Sequence, residues 1–177
     1  MATAYVLINC EPGSDDFVVS ELKAIDSVKA AHGTFGTFDV IAKIEDDSED
    51  RLNNVITKQI RKLEKIRSTL TLYAVGSKDH FFDKSANKQK DMNWENFAQA
   101  YVIIHCEEAD EYNVLRNLSQ IPEIVEGCVV VGFYEVICKV AAPTYNDIED
   151  VVTKKIRKLK DVNSTMTLNV IPYKGNN

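Results

Sequence analysis

The sequence predicts an α+β protein made of two copies of one βαββαβ module, packed sheet against sheet. Three observations lead to this fold class. Residues 4–75 align without a gap with residues 100–171, and 24 of the 72 paired positions are identical. Each copy shows the same order of strand-type and helix-type patterns, and its strands are apolar on both faces. This order of elements is that of a ferredoxin-like module.

Each copy opens with a strand and a helix. Tyr5–Cys10 is apolar and rich in β-branched residues, which predicts a strand. Ser14 then predicts a helix N-cap, because Asp15 and Asp16 follow it in the first turn. The apolar residues that recur at helical spacing behind this cap are Val18, Val19, Leu22 and Ile25.

A hairpin, a second helix and a final strand complete the copy. Val28–Phe35 and Phe38–Ile44 predict two strands that meet at Gly36, a residue typical of hairpin turns. Ser48 predicts the cap of a longer helix that carries one apolar stripe, and Thr144 with Asp147 predicts the equivalent cap in the second copy. Arg67–Val75 predicts the last strand.

The strands are apolar on both faces, although the two helices of such a module cover only one face. In the first strand Val6 and Ile8 belong to one face, and Tyr5 and Leu7 belong to the other. An antiparallel sheet with one face in water would alternate between apolar and polar residues. We therefore expect both faces to be covered, the second one by the sheet of a twin module, either within one chain or between two chains.

The repeat also predicts the domain organisation. Residues 1–75 form the first module, residues 76–99 a linker and residues 100–177 the second module. The linker is polar overall and mixed in charge, but it also contains several large apolar residues. A wholly free tether would not carry them, so we expect parts of the linker to dock. Its large apolar residues are Phe81, Phe82, Met92, Trp94 and Phe97.

Composition and charge exclude several classes of protein. The chain is 45% hydrophobic with a net charge of −6, and the two aligned segments carry −3 and −4. A broad nucleic-acid surface is therefore disfavoured. No segment is apolar enough to span a membrane, and the N-terminal residues lack a signal-peptide pattern, so a cytoplasmic location is expected. The cysteines show no CxxC spacing and are expected to be buried, reduced residues.

Three segments resemble a known family. AYVLINCEPGSDD, GTFDVIAKIE and IRKLEKIRSTLTLYAV are similar to the C-terminal ligand-binding RAM module of the Lrp/AsnC (feast/famine) regulators. The resemblance implies modules that pair sheet to sheet, assemble further and bind small effectors, typically amino acids, at interfaces between modules. It implies a helix-turn-helix in usual members, whereas here the first strand begins by Ala4. A stand-alone tandem version without direct nucleic-acid binding is therefore expected.

The hairpin turn of each copy is the first candidate ligand-binding site. Its glycine allows the positive φ of a tight turn, and the carboxylate that follows can accept an amino group. The resemblance implies that this turn borders the effector pocket, whereas a plain hairpin with a solvated acid is the open alternative. The candidate residues are Gly36, Phe38 and Asp39 in the first copy and Gly132, Tyr134 and Glu135 in the second.

The final strand of each copy is the second candidate site. Thr69 and Thr71 share one face, and we expect Leu70 and Leu72 to face the helices. The hydroxyls would then point to the other face, where they could hold the charged groups of an amino acid. Threonine that simply packs in a strand is the alternative. The equivalent residues of the second copy are Thr165 and Thr167.

A basic cluster ends each long helix. Its cations complement the helix dipole on a solvated face, and binding of an anion is the less favoured alternative. The cluster consists of Lys58, Arg61, Lys62, Lys65 and Arg67 in the first copy, and Lys154, Lys155, Arg157, Lys158 and Lys160 in the second.

Catalytic and metal-binding residues are not predicted. His32, His80 and His105 do not recur between the copies, and no glycine-rich phosphate loop or HExxH motif is present. Cys10 and Cys106 do recur, each followed by an acid. A metal or redox site there, with His105 beside it, is an open but disfavoured alternative.

We therefore expect a cytoplasmic, non-enzymatic protein that senses a small amino-acid-like effector in transcriptional or metabolic regulation and forms homo-oligomers. No cofactor, membrane or direct nucleic-acid partner is expected. Two alternatives stay open. The chain could be a partner subunit that modulates the assembly of full-length Lrp-like regulators, or a dimeric α+β barrel enzyme with a catalytic histidine or carboxylate between its sheets.

Overall fold

The computed structural model describes residues 1–76, 78–85 and 96–172. They divide into two compact units, each built on one predicted module. The first unit holds residues 1–76 and the described residues from Val170 onward, and the second holds the described residues up to Asn169. Met92 and Trp94 of the predicted linker lie outside the described residues. None of the described helices is long and apolar enough to cross a membrane.

The first module has the predicted βαββαβ order. Its four strands form an antiparallel sheet in the order β4-β1-β3-β2. The elements are β1 (Ala2–Cys10), α1 (Asp15–Lys23), β2 (Val28–Phe35), β3 (Val40–Asp46), α2 (Glu49–Asn54) with its continuation Val55–Ile60, and β4 (Ile66–Ala74).

The second module repeats this order and adds one strand from the predicted linker. The sheet order is β9-β6-β8-β7-β5, again antiparallel. The elements are β5 (Phe81–Asp83), β6 (Ala98–Cys106), α3 (Glu111–Ser119), β7 (Ile124–Val131), β8 (Val136–Ala142), α4 (Tyr145–Val151) with its continuation Val152–Ile156, and β9 (Val162–Val170).

The main core of the first module lies between the sheet and its two helices. Val6 and Ile8 of β1 pack there with Val18 and Leu22 of α1 and with Ile56. All five side chains are fully shielded or nearly so. Burial of apolar surface on this scale is the main term that holds the module together.

The sheet face opposite the helices is buried as well. Leu7 and Ile41 of the first module point away from the helical core and are almost completely shielded from solvent. Ile103 and Ile137 occupy the equivalent positions of the second module and are equally buried. The low exposure of these side chains therefore confirms the prediction that both faces of each sheet are covered.

The helix caps agree with the prediction at two of three sites. The Ser48 hydroxyl accepts the backbone N–H of Arg51 at 3.2 Å, and Thr144 and Asp147 form a reciprocal capping box at the start of α4. Ser14 occupies the N-cap position, but its hydroxyl donates to the carbonyl of Glu11 at 2.6 Å instead of capping the helix.

Both long helices widen into a π-helical turn before they end. The backbone N–H of Arg61 donates to the carbonyl of Ile56, five residues earlier, at 3.0 Å, and Arg157 does the same to Val152 at 2.9 Å. The predicted apolar stripe continues through these turns, because Ile60 and Ile156 are fully buried. The sequence pattern did not reveal the widening, which is often associated with functional sites.

The docked part of the linker lies on the edge of the second sheet. β5 pairs with β7, and Phe82 lies opposite Gly127. A Cβ at Gly127 would lie 2.8 Å from Cε1 of Phe82. The absence of a side chain at this position is therefore what admits the Phe82 ring.

Candidate functional site

The turn between β2 and β3 ties its carboxylate to the backbone of β1. Gly36 adopts a φ of 147°, which favours glycine, so the predicted positive φ of this turn is confirmed. The backbone N–H of Asp39 donates to the carbonyl of Ile8 at 2.9 Å, and one carboxylate oxygen of Asp39 accepts the backbone N–H of Cys10 at 3.0 Å. Asp39 therefore connects the turn to the end of the central strand.

Two further bonds hold the same turn closed. The backbone N–H of Thr34 donates to the carbonyl of Asp39 at 2.8 Å, and its hydroxyl donates to the carbonyl of Phe38 at 2.7 Å. β3 consequently begins at Val40, two residues later than predicted, because Phe38 and Asp39 belong to the turn. The first copy thus uses its candidate residues largely to fix the backbone.

The equivalent turn of the second module directs its carboxylate elsewhere. Gly132 has a φ of 148°, and the backbone N–H of Glu135 donates to the carbonyl of Ile104 at 3.1 Å. The longer side chain of Glu135 reaches a side chain of β6 instead of the backbone: its Oε2 lies 3.1 Å from Nδ1 of His105. The ring of Tyr134 packs on the imidazole with 4.3 Å between the ring centroids.

We call His105, Tyr134 and Glu135 the turn cluster. The side chains of His105 and Glu135 are 41% and 26% exposed, so the pair remains accessible to a small molecule. The carboxylate can accept hydrogen bonds from an ammonium group, the imidazole can donate or accept a hydrogen bond, and the phenol ring offers an apolar face. The cluster combines these three kinds of contact in one place.

Tyr134 and Glu135 were predicted site residues, whereas His105 was not. His105 was discounted because Asn9, the equivalent residue of the first copy, is not a histidine. The signal that could have found His105 is its place near the end of β6, the strand that anchors the Glu135 backbone. A difference between two copies can mark a function that only one copy has acquired.

The threonines of the final strand face the helices, so the predicted orientation is wrong. Thr69 and Thr71 lie opposite Ile8 and Val6 in the register of β1 and β4, and cross-strand partners share a face. Ile8 and Val6 belong to the helical core. Leu70 therefore points to the opposite face. The same register turns Thr165 and Thr167 of the second module toward its helices.

A polar cavity lies where β9 begins in the second module. Its volume is about 310 Å³, and the Nε of Arg157 donates to the Thr165 hydroxyl at 3.0 Å at its wall. The cavity brings together one predicted site residue and one member of the predicted basic cluster. The lining residues are Arg157, Val162, Asn163, Ser164 and Thr165.

The four cysteines are buried and reduced, as predicted. Burial, reinforced by nearby carboxylates of which Glu135 is the largest contributor, raises the pKa of the Cys106 thiol to about 12. Within the described ranges no group of three metal-ligating side chains is found, so the metal alternative at Cys106 and His105 lacks a third ligand there.

We expect Cys106 to resist alkylation in the folded protein. An ordinary thiol has a pKa of about 8.5 and reacts faster as pH rises from 7 to 9, because the thiolate is the nucleophile. With its pKa at about 12, Cys106 stays protonated across this interval. Mass spectrometry after iodoacetamide treatment should find label at Cys106 only when the protein is denatured. Native labelling that increases steeply between pH 7 and 9 would contradict the assignment.

Several solved structures are similar to this chain. The sequence of FFRP-DM1, known from a crystal structure, is 36% identical to this chain. The match covers 42% of this chain and 100% of that chain, with a TM-score of 0.41. The siroheme decarboxylase NirDL is 9% identical over 95% of this chain and 70% of that chain, with a TM-score of 0.68. An anthrone oxidase-like protein is 11% identical over 96% and 90%, with a TM-score of 0.60.

The prediction that the chain is not an enzyme is corrected by these likenesses. A siroheme decarboxylase has the same fold over nearly the whole chain. At 9% and 11% identity the likeness shows the fold alone. The fold therefore gives no ground for excluding catalysis. The lack of a repeated histidine does not exclude catalysis either, because His105 pairs with a carboxylate although it occurs in one copy only.

The family of the chain follows from its sequence. No curated protein matches the chain. The family model described as the Lrp/AsnC ligand binding domain matches residues 3–80 and again residues 99–172. Both repeats are therefore copies of this domain, and the α+β fold of two ferredoxin-like modules agrees with the assignment. The chain belongs to the Lrp/AsnC ligand binding domain family, as a tandem duplication.

Proposed function

We propose that the chain senses a small amino-acid-like effector, which binds at the turn cluster of the second module. The family supports a regulator-type, effector-binding role in general. The observation that carries the finer proposal is the pair formed by Glu135 and His105, 3.1 Å apart and partly exposed. A carboxylate and an imidazole side by side match the ammonium and carboxylate groups of an amino acid.

The chemistry assigns a role to each member of the cluster. The Glu135 carboxylate would accept the ammonium group of the effector, and the His105 imidazole, as an N–H donor, would hold its carboxylate. The Tyr134 ring, already packed on the imidazole, would support the apolar part of the effector. In the first module the equivalent carboxylate, Asp39, is bonded to the backbone N–H of Cys10. We therefore place the effector in the second copy.

The test is calorimetric titration of the protein with single amino acids at neutral pH. We expect Glu135→Gln to weaken binding of the responding amino acid at least tenfold, because a charge-assisted hydrogen bond contributes about 1.5–3 kcal/mol. The matched control is Asp39→Asn in the first copy, which should leave the affinity unchanged. An unchanged affinity in Glu135→Gln, or an equal loss in both variants, would place the effector elsewhere.

Catalysis is a second candidate function of the same cluster. A histidine held by a carboxylate is the arrangement that general acid–base catalysis uses, and His105 is held in this way by Glu135. Proton NMR of each bound amino acid over several hours would separate the two candidates. A new ligand spectrum that His105→Ala prevents indicates catalysis, whereas an unaltered ligand indicates sensing.

The regulatory output requires a partner, and we propose association with further copies of this chain or with full-length Lrp-like regulators. The family implies oligomerisation in general. The setting we propose is the cytoplasm, where reducing conditions keep the four cysteines as free thiols. Size-exclusion chromatography of the chain alone and mixed with such a regulator, with and without effector, would show which assembly forms.

A further inference from the structure

We propose that the second module has another binding site, for a small molecule with a carboxylate group, in the cavity at the start of β9. The cavity holds about 310 Å³, near the lower limit of pockets that take small molecules. Arg157 and Asn163 offer hydrogen-bond donors around it. These donors lie on the sheet face of Thr165, whereas His105 of the turn cluster lies on the other face, opposite Ser164, so the two proposals stand separately.

Arg157 is the residue that would bind the carboxylate. It lies where the π-helical turn after α4 ends, and its Nε donates to the Thr165 hydroxyl at 3.0 Å. This bond holds the guanidinium at the cavity wall. Across the described part of the chain, its two terminal amino groups have no protein partner. A guanidinium presented in this way can make two parallel hydrogen bonds to a carboxylate.

A neighbouring strand position adds a second donor. Ser164 also lines the cavity, but it lies opposite His105 in the strand register, so its hydroxyl points to the other sheet face from Thr165. The Asn163 amide makes one weak bond, at 3.4 Å, to the Glu107 carboxylate. Asn163 is exposed and lies on the same sheet face as Thr165, so its amide can turn toward a ligand. An arginine fork with an amide beside it is suited to the oxygens of a carboxylate.

The surrounding charges favour a singly charged anion. The basic residues that precede Arg157 are already paired: Lys154 lies 3.3 Å from Asp150, and Lys155 lies 2.6 Å from Glu123. Glu107 stands behind Asn163, and no lysine lines the cavity. One free guanidinium near a carboxylate suits a monoanionic carboxylate better than the more highly charged phosphate.

The first copy provides a natural comparison, because its equivalent residues differ. The first copy has Arg67 at the position of Asn163. It has Lys65 at the position of Asp161, and Lys65 pairs with Glu11 at 3.5 Å. No bond between Arg61 and Thr69 is found among the described residues, although both recur in the second copy as Arg157 and Thr165. We therefore place the site in the second copy only.

The test is a titration of the isotope-labelled full chain with acetate, glycine and inorganic phosphate, followed by backbone NMR. We expect acetate to shift the amide signals of residues 163–165 with saturation in the millimolar range. Arg157→Gln should weaken this binding at least tenfold, and Asn163→Ala should weaken it severalfold. Arg61→Gln in the first copy is the matched control and should bind as the parent does. Glycine that shifts the same amide signals as acetate also supports the site.

Three outcomes would overturn the proposal. Acetate could fail to give saturable shifts, Arg157→Gln could bind as the parent does, or phosphate could bind more tightly than acetate. Arg157 is exposed, so its variant is expected to fold, and unchanged dispersion of the remaining NMR signals checks this. Glu135→Gln should leave the acetate titration unaffected. A failure of the cavity proposal can therefore be distinguished from a failure of the turn-cluster proposal.

Discussion

Replacing Ile104 with alanine is expected to destabilise the second module by about 2–5 kcal/mol, as deletions of fully buried aliphatic side chains do. Ile104 has no exposed surface and lies on the helix-facing side of β6, the strand between β8 and β9. Truncation removes its apolar contacts and leaves a cavity that the closely packed neighbours fill only in part. Urea denaturation followed by circular dichroism would measure the loss.

The effect of this substitution should be confined to the second module. Hydrogen exchange should show faster opening of β6, β8 and β9, with β1 and β3 little changed. The control is Val131→Ala on β7, whose side chain is 61% exposed, and it should change stability by no more than about 0.5 kcal/mol. Equal losses in the two variants would contradict the assignment of Ile104 to the core.

Replacing Gly127 with alanine is expected to displace β5 from the edge of the second sheet, at a cost of about 1–3 kcal/mol. The new methyl group would lie 2.8 Å from Cε1 and 3.0 Å from Cζ of Phe82, and 3.3 Å from Cδ1 of Leu115. Leu115 is buried in the helical layer, so the Phe82 ring must move. Hydrogen exchange at Phe81–Asp83 should report the displacement directly.

The first copy supplies the matched control for this prediction. Ala31 is the residue that aligns with Gly127, and it lies in β2. Ala31→Gly should cost about 1–2 kcal/mol through backbone entropy and the loss of a buried methyl group, and it should leave exchange at Phe81–Asp83 unchanged. If Gly127→Ala leaves that exchange slow, the close approach of the Phe82 ring is not what holds β5 in place.

Much of the fold could be predicted because each signal was local. The strand Val28–Phe35 was predicted with its observed bounds, and both long helices begin at their predicted caps. The orientation of Thr69 and Thr71 could not be derived in this way. Alternation shows that the two threonines share a face, but only the pairing of β4 with β1 determines which face it is.

The candidate site was predictable in its residue types and not in its contacts. Asp39 and Glu135 were named from the turn pattern, yet whether each carboxylate meets the backbone or a side chain depends on tertiary distances. Arg157 was assigned to a solvated helix end, because its bond to Thr165 joins two elements that sequence spacing does not relate. Contacts across strands and between elements need the register, which one sequence does not supply.

The difference between the two turns has a consequence for how such a protein can change. Glutamate is one methylene longer than aspartate, and here that length accompanies a carboxylate bonded to His105 rather than to the main chain. In an assembly of identical single modules every substitution appears in all copies. A substitution that created the carboxylate–histidine pair would therefore remove the carboxylate–backbone hydrogen bond from every module. Fusing two modules in one polypeptide removes that coupling. One half can keep the structural bond while the other varies, which makes unequal halves the expected product of selection on a fused gene.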